Sequence, residues 1–336
     1  MMPPLVSVLM PARDEALRVA DALSDLMAQT LTDVEILVLD DGSTDDTSAV
    51  ARRTAGNDQR VRVITLPARG IVATLNEGLA AAHGAFIARM DADDRCAPNR
   101  LEAQIDLLHS RPDLALASCL IAPPVGESYA GGYQAYAKWV NSLVTPEAVV
   151  RERFIECPVV HPTMVTRRDV LREHGGWRDG DFPEDYDLIL RLLADGAAMA
   201  KVESPLYFWR DHANRASRVD PRYAPAAFYA LKAEFLSQGP LCDAPEIVVC
   251  GAGRLSRKHV RPLQRLGHHV RAWLDIDPKK IGICHAGAPV LHVERLREVR
   301  AWPLLVYVGT RGARELIRPR LQEAGFEEGR DAWFCA

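Results

Sequence analysis

Short apolar runs that stop at acids constrain this fold more than any other feature of the chain. Val6-Ser7-Val8-Leu9-Met10, Glu35-Ile36-Leu37-Val38-Leu39, residues 61–66 and Ala85-Phe86-Ile87-Ala88-Arg89-Met90 have the length and side chains of buried strands. Between them the spacing turns helical. Leu23, Leu26 and Met27 share one face between residues 16 and 29, and Ile71, Leu75 and Leu79 recur every four residues between 70 and 82. Strands that are apolar on both faces need helices on both sides, so the alternation implies an α/β fold with a mainly parallel sheet. Such sheets bind ligands beyond the carboxyl ends of their strands. Asp40-Asp41-Gly42-Ser43 and Asp91-Ala92-Asp93-Asp94 stand at those ends.

At 336 residues the chain has room for one large domain or two medium ones. The pattern changes between Pro123 and Thr145 to an aromatic, Gly-rich segment with Tyr129, Tyr133, Tyr136 and Trp139, and residues 133–143 read as a helix. Residues 156–166 read as a strand, 186–194 and 220–238 as helices. Gly239-Pro240-Leu241-Cys242-Asp243-Ala244-Pro245 reads as a linker. Strand–helix alternation then resumes: strands at 246–250, 269–274 and 304–308, helices at 255–266 and 313–324. The expected division is a domain over 1–240 and a small Rossmann-like α/β domain over 245–336. In the latter, Gly251-Ala252-Gly253 followed by Asp275 matches part of a dinucleotide fingerprint, but Ser256 replaces its third glycine. A purely structural turn is the preferred reading of it.

A formal net charge of −4 supplies no global attraction to nucleic acid or to an anionic membrane. The cysteines (Cys96, Cys119, Cys157, Cys242, Cys250, Cys284 and Cys335) are odd in number and form no Cys-x-x-Cys pair, which fits a reducing compartment. No apolar run reaches the ~18 residues that span a bilayer, and no signal-peptide pattern opens the chain. The expected location is the cytoplasm, with peripheral association at the inner membrane face open to it if the acceptor is membrane-linked.

Each acidic motif has two readings. Asp91 and Asp93 at a strand exit suit a shared divalent ion bridging a nucleotide diphosphate, while a helix-capping turn before Pro98 explains them structurally. Asp40 and Asp41 suit acceptance of a uracil imide N–H, since carboxylates are pure acceptors; a turn plus N-cap is the alternative. Glu184-Asp185 opens a helix, where acids complement the dipole. A carboxylate facing a pocket there would serve as general base, and Asp185 is the preferred candidate because Leu188 and Leu192 take the core side and leave 184 and 185 near the mouth. His212, after Arg210, is a metal or phosphate ligand or a surface histidine. His161 touches an acceptor or is buried structurally.

The order of these motifs resembles the family-two inverting glycosyltransferases of GT-A fold. Val6 through Glu15, with Asp14 in place of the usual Asn, matches their opening strand and loop; Val38 through Thr47 matches the nucleotide loop. Gly70 through Asp94 matches the approach to their metal motif, and His161-Pro162-Thr163 with Glu184-Asp185-Tyr186-Asp187-Leu188 the acceptor half. The resemblance covers residues 5 to about 220. It implies Pro11, Arg13, Glu15, Asp40 and Asp41 around the base, Arg69 elsewhere in the donor site, Asp91 and Asp93 at ribose and metal, and Asp185, with Glu184 beside it, as catalytic base. It further implies Arg210 and His212 near the diphosphate and metal, His161 and Trp139 toward the acceptor, and Mn2+ or Mg2+ as cofactor.

The expected activity is metal-dependent, inverting transfer of a sugar from a nucleotide diphosphate donor, most simply UDP-linked, to a glycan or lipid-linked hydroxyl. In-line displacement needs no covalent nucleophile, and no Ser or Cys motif offers one. A sugar nucleotidyltransferase would carry a Gly-rich basic loop where Pro11-Ala12-Arg13-Asp14-Glu15 has no glycine. A non-catalytic nucleotide-sugar-binding protein would tolerate loss of Asp185. A chain ending near Gln238 is expected to keep the donor site.

Overall fold

In the computed structural model, which describes residues 3–122, 131–210 and 215–336, the apolar runs form β1 (Val6–Ala12), β2 (Val34–Asp41), β3 (Val61–Leu66) and β4 (Phe86–Arg89). These are joined by β5 (Arg95–Cys96), β6 (Leu114–Ile121), β7 (Val165–Arg167) and β8 (Ala198–Phe208) in one sheet of order β3-β2-β1-β4-β7-β6-β8-β5. β1 runs parallel to β2 and β4, and β2 parallel to β3. β7 is antiparallel to both β4 and β6. The sheet is thus mainly parallel, and every residue of β2 is buried, as strands covered on both faces require.

The covering helices follow the sequence periodicity. Val19–Met27 buries Val19, Ala22, Leu23 and Leu26, one stripe at helical spacing. Ile71–Ala81 buries Val72, Leu75 and Leu79. Gly78 lets that helix close on the sheet, because a Cβ there would lie 2.4 Å from Leu39 Cδ1. The expected strand over 156–166 does not form. His161–Thr163 is a short 3-10 turn and only Val165–Arg167 pairs, since Pro158 and Pro162 lack the N–H that a sheet ladder needs.

The chain forms two compact units, and the second is not a contiguous tail. It gathers Val150–Cys157, Asp181–Pro183 and Asp220–Ala336, which differs from the expected division at 240–245. Specific contacts explain the recruitment. Glu152 pairs with Arg318, whose guanidinium also binds Glu328 at 2.7 Å and lies over the Phe334 ring. Lys232, buried in the helix Pro225–Gln238, donates to the carbonyls of Ile155 (3.2 Å) and Cys335 (2.8 Å).

This second unit is Rossmann-like, with β9 (Glu246–Cys250), β10 (His269–Asp275), β11 (Cys284–His285), β12 (Ala288–His292), β13 (Leu304–Val306) and β14 (Ala332–Phe334) in the order β11-β12-β10-β9-β13-β14. Its glycine turn is closed by the chain itself. Asp275 accepts from Ala252 N and Asp277 N and pairs with Lys280, each at 3.0 Å, while Ser256 Oγ donates to Tyr307 O at 2.9 Å. Among the described residues, no helix is long and apolar enough to cross a membrane.

Candidate functional site

Strand register places the acidic motifs on one edge of the larger sheet. Asp40 lies opposite Ala12, and Arg89 opposite Leu9, so the chain leaves β2 and β4 on either side of the end of β1. Asp40 and Asp41 are the last residues of β2 and both are buried. Asp40 Oδ1 accepts from Ser43 N at 3.0 Å. Asp41 Oδ1 accepts from Arg69 N at 2.8 Å, Gly70 N donates to both its oxygens, and Arg13 stands 3.6 Å from Oδ2. The turn at Gly42 takes a φ of +63°, and a Cβ there would meet Ala68 N at 2.6 Å, so only glycine lets the 68–70 loop approach.

The loop after β1 is tied to the loop after β2. Asp14 has a φ of +54°, a conformation that Asn and Asp tolerate best among non-glycine residues. Its Oδ1 accepts from Thr44 N at 2.7 Å, and this bond holds the carboxyl below its ordinary pKa. Glu15 N donates to Thr47 Oγ1 and Ala16 N to Asp45 Oδ2. Pro11, Arg13, Glu15, Asp40, Asp41 and the Arg69 backbone therefore share one rim. Two side chains from the expected donor set turn away: Glu15 pairs with Arg18 at 3.0 Å, and Arg69 with the exposed Glu77 at 3.8 Å.

Beyond β4, Asp91, Asp93 and Asp94 bring carboxylate oxygens within 4.8 Å of one another. Such a cluster needs positive charge, and the chain supplies some of its own. Arg89 Nη1 lies 2.7 Å from Asp91 Oδ1, and Arg215 binds Asp94 at 3.0 Å and stands 3.7 Å from Asp91 Oδ2. Burial would raise the Asp91 carboxyl, but the charges of Arg89 and Arg215 bring it below its ordinary value. For Asp94 burial prevails, reinforced by Asp93 and Asp91 and opposed by Arg215, and pushes it up to about 7. Tyr207 Oη donates to Asp94 Oδ2 at 3.0 Å and accepts from Asp91 N at 3.3 Å. Behind them the fully buried Arg100 donates to the carbonyls of Arg89 and Pro162 and lies over the Tyr207 ring. Hard carboxylate oxygens at this spacing fit Mn2+ or Mg2+, while both oxygens of Asp94 are already taken by the forked Arg215 guanidinium.

Of the remaining expected residues, His161 and the Arg210 backbone adjoin this cluster. His161 is buried and its Nε2 accepts from Trp177 Nε1 at 2.9 Å, so the ring is neutral; burial and the nearby Arg89 charge lower its pKa to about 3. Trp177 is anchored in turn by Asn76, through bonds of 2.8 and 3.0 Å. In the helix Glu184–Ala194, Asp185 is half-buried, whereas Glu184 is fully buried rather than near the mouth. Packing of the first turn draws position 184 inward with Asp187, which pairs with Arg191 at 2.8 Å. Arg210 N donates to Asp94 Oδ1 at 2.7 Å, but its guanidinium turns to Asp21 at 2.7 Å rather than into the acidic cluster. Trp139 belongs to an aromatic group in which Tyr136 stacks on Trp209 at 6.0 Å and Tyr133 meets Trp209 edge-on. His212 lies outside the described residues.

Sequence reasoning missed Arg89, Arg100, Tyr207 and Arg215. Arg89 carried a signal, because a cation inside an otherwise apolar parallel strand is buried only with a partner. Arg215 carried none, as its carboxylate partners lie more than a hundred residues away.

Residues 7–175 match the family model described as Glycosyl transferase family 2. The chain is 29% identical over 222 residues to an uncharacterized glycosyltransferase of Haemophilus influenzae, covering 64% of this chain and 68% of that protein. It is 35% identical over 199 residues to a chondroitin synthase of Pasteurella multocida and 31% identical over 216 residues to the O-antigen biosynthesis protein RfbC of Myxococcus xanthus. Those alignments cover 57% and 62% of this chain but only 19% and 16% of the two larger proteins. Among solved structures, TarS of S. aureus in complex with UDP-GlcNAc superposes with a TM-score of 0.56 at 16% identity, over 77% of this chain and 70% of that one. The mannosyltransferase PcManGT of Pyrobaculum calidifontis, in complex with GDP-Man and Mn2+, gives 0.52 at 19% identity, over 78% and 68%. A mainly parallel sheet with acids gathered at one edge, the overall likeness to these GT-A enzymes and the family match agree: the chain belongs to glycosyl transferase family 2.

Proposed function

We propose that this chain moves a sugar from a UDP-linked donor to an acceptor hydroxyl with inversion at the anomeric carbon. The observation that carries the reading is the convergence of two acidic edges, Asp40-Asp41 and Asp91-x-Asp93, on either side of the end of β1. Relatives carrying UDP-GlcNAc or GDP-Man with Mn2+ support it by analogy. Asp41, set by the amides of Arg69 and Gly70 and faced by Arg13, shapes the base end of the donor site together with Pro11, Glu15 and Asp40. Asp91 stands at the ribose, and Asp93 beside it at the diphosphate. A Mn2+ or Mg2+ ion held by Asp93 and Asp91 would supply positive charge to the departing diphosphate.

Asp185 takes the acceptor proton, being the half-buried carboxylate of its pair, while the buried Glu184 fixes the start of the helix. The acceptor oxygen then attacks from the face opposite the leaving group, the attack exchanging one C–O bond for another with no covalent enzyme intermediate. Trp139 and its aromatic neighbours form a wall suited to a sugar ring, and His161, bound to Trp177, is assigned to the acceptor as well. The acceptor is a glycan or lipid-linked glycan of the cell surface, as the O-antigen and chondroitin relatives suggest. The second unit, proposed as an accessory domain centred on 245–336, places the acceptor or a partner and takes no part in chemistry.

The test is UDP release from a panel of nucleotide sugars, with NMR assignment of the product's anomeric configuration. Retention of configuration, or turnover with a GDP-linked donor alone, would overturn the reading.

A further inference from the structure

Asp94 commits both carboxylate oxygens to the chain itself. Oδ1 accepts from Arg210 N (2.7 Å) and Arg215 Nη1 (3.0 Å), and Oδ2 from Tyr207 Oη (3.0 Å) and Arg215 Nη2 (3.2 Å). Its side chain is fully buried. The Arg215 guanidinium is nearly so, lies over the Trp209 ring at 5.6 Å and also donates to Arg210 O. The same cation reaches Asp91 Oδ2 at 3.7 Å, while Arg89 covers Asp91 Oδ1 from the other side. Three carboxylates within 4.8 Å repel one another strongly when buried, and the usual remedy is a bound ion. Here a guanidinium stands against two of them.

We infer that Arg215 is the resident counter-ion of the acidic cluster: it holds Asp91, Asp93 and Asp94 together before any divalent ion arrives, and it withholds Asp94 from metal coordination. The inference rests on the metal site proposed above. Two consequences follow from charge alone. A bare divalent ion meets a cluster that is already largely neutralised, so it binds weakly by itself. The ion enters best with a nucleotide diphosphate, whose negative charge restores the attraction. Arg215 thus acts through the carboxylates as a positioning residue.

The test compares the full chain with Arg215→Met and Arg215→Lys, reading Mn2+ affinity by calorimetry without nucleotide and the thermal midpoint in EDTA or Mn2+. For the parent chain, Mn2+ alone is expected to bind weakly and barely move the midpoint. Arg215→Met should lose midpoint in EDTA, recover most of it in Mn2+, and bind Mn2+ alone about tenfold more tightly or better, because the ion takes over the missing charge. Arg215→Lys, with one ammonium in place of a fork, should fall between the two. If Arg215→Met folds only when refolded with Mn2+, the inference is upheld. A midpoint lowered equally in EDTA and Mn2+, with unchanged affinity, makes Arg215 a structural pin and overturns it, as does an Arg215→Lys that matches the parent while Arg215→Met folds under neither condition. A parent chain that binds no Mn2+ even with UDP fails one step earlier, at the metal site itself. Binding with UDP but no response in the variants removes only the role of Arg215.

Discussion

At the scale of single residues, substitution separates the roles proposed for two carboxylates, Asp93 and Asp185. Asp93 is half-buried in a cluster of like charges. Asp93→Ala should therefore abolish Mn2+-dependent UDP binding while leaving the thermal midpoint unchanged or slightly raised, because repulsion falls as the ligand is lost. Calorimetry with UDP and Mn2+, beside a melting curve, reads both. Unaltered affinity would take Asp93 out of the metal site. Asp185→Asn should keep donor affinity and lose about 10²–10⁴-fold in turnover, since an amide cannot accept the acceptor proton. Turnover near that of the parent would move the base elsewhere. Asp40, Asp41, Asp91 and Asp93 were legible in the sequence because they stand at or just past strand ends, and Asp185 because it opens a helix. Their partners were not: Tyr207 and Arg215 reach the cluster through pairings that no local pattern encodes.

At the scale of elements, the donor rim depends on loops that only certain backbones permit. Gly42 combines a positive φ with a 2.6 Å approach to Ala68 N, so Gly42→Ala should cost about 2 kcal/mol or more. It should also weaken UDP binding by displacing the amides that set Asp41. Chemical denaturation and UDP calorimetry on the same variant test the pair of effects; an unchanged variant would mean that the 68–70 loop shifts freely. The elements of residues 6–89 were readable because buried parallel strands and covering helices impose strict periods of apolar residues. Residues 156–166 misled because an apolar run with two prolines satisfies strand composition but not strand hydrogen bonding. β6, an eight-residue apolar run after Arg111-Pro112, had a local signal, whereas the two-residue strands β5 and β11 had none.

At the scale of the whole molecule, a linear division of the chain misses how the second unit is built. Its Rossmann-like sheet was visible from residue 246 onward, but the contributions of 150–157, 181–183 and 220–240 were not, since discontinuity leaves no mark in local periodicity. A chain ending near Gln238 would strand the Lys232 amine without the Cys335 carbonyl, leave Glu152 without Arg318 and expose the apolar side of the helix Pro225–Gln238. Such a truncation is now expected to aggregate, contrary to what the linker at 239–245 implies. Light scattering of the purified product decides it, and a monodisperse protein that still binds UDP would restore the simpler division. The same interleaving also orders events in time. Arg318, the partner of Glu152, and Cys335, which shares the Lys232 amine with Ile155, leave the ribosome roughly 10–40 s later at ordinary elongation speeds. Through that interval the nascent chain carries an unmatched segment across its first unit, so synthesis rate and chaperone supply bear on the yield of this protein more than on that of an enzyme whose units follow one another along the chain.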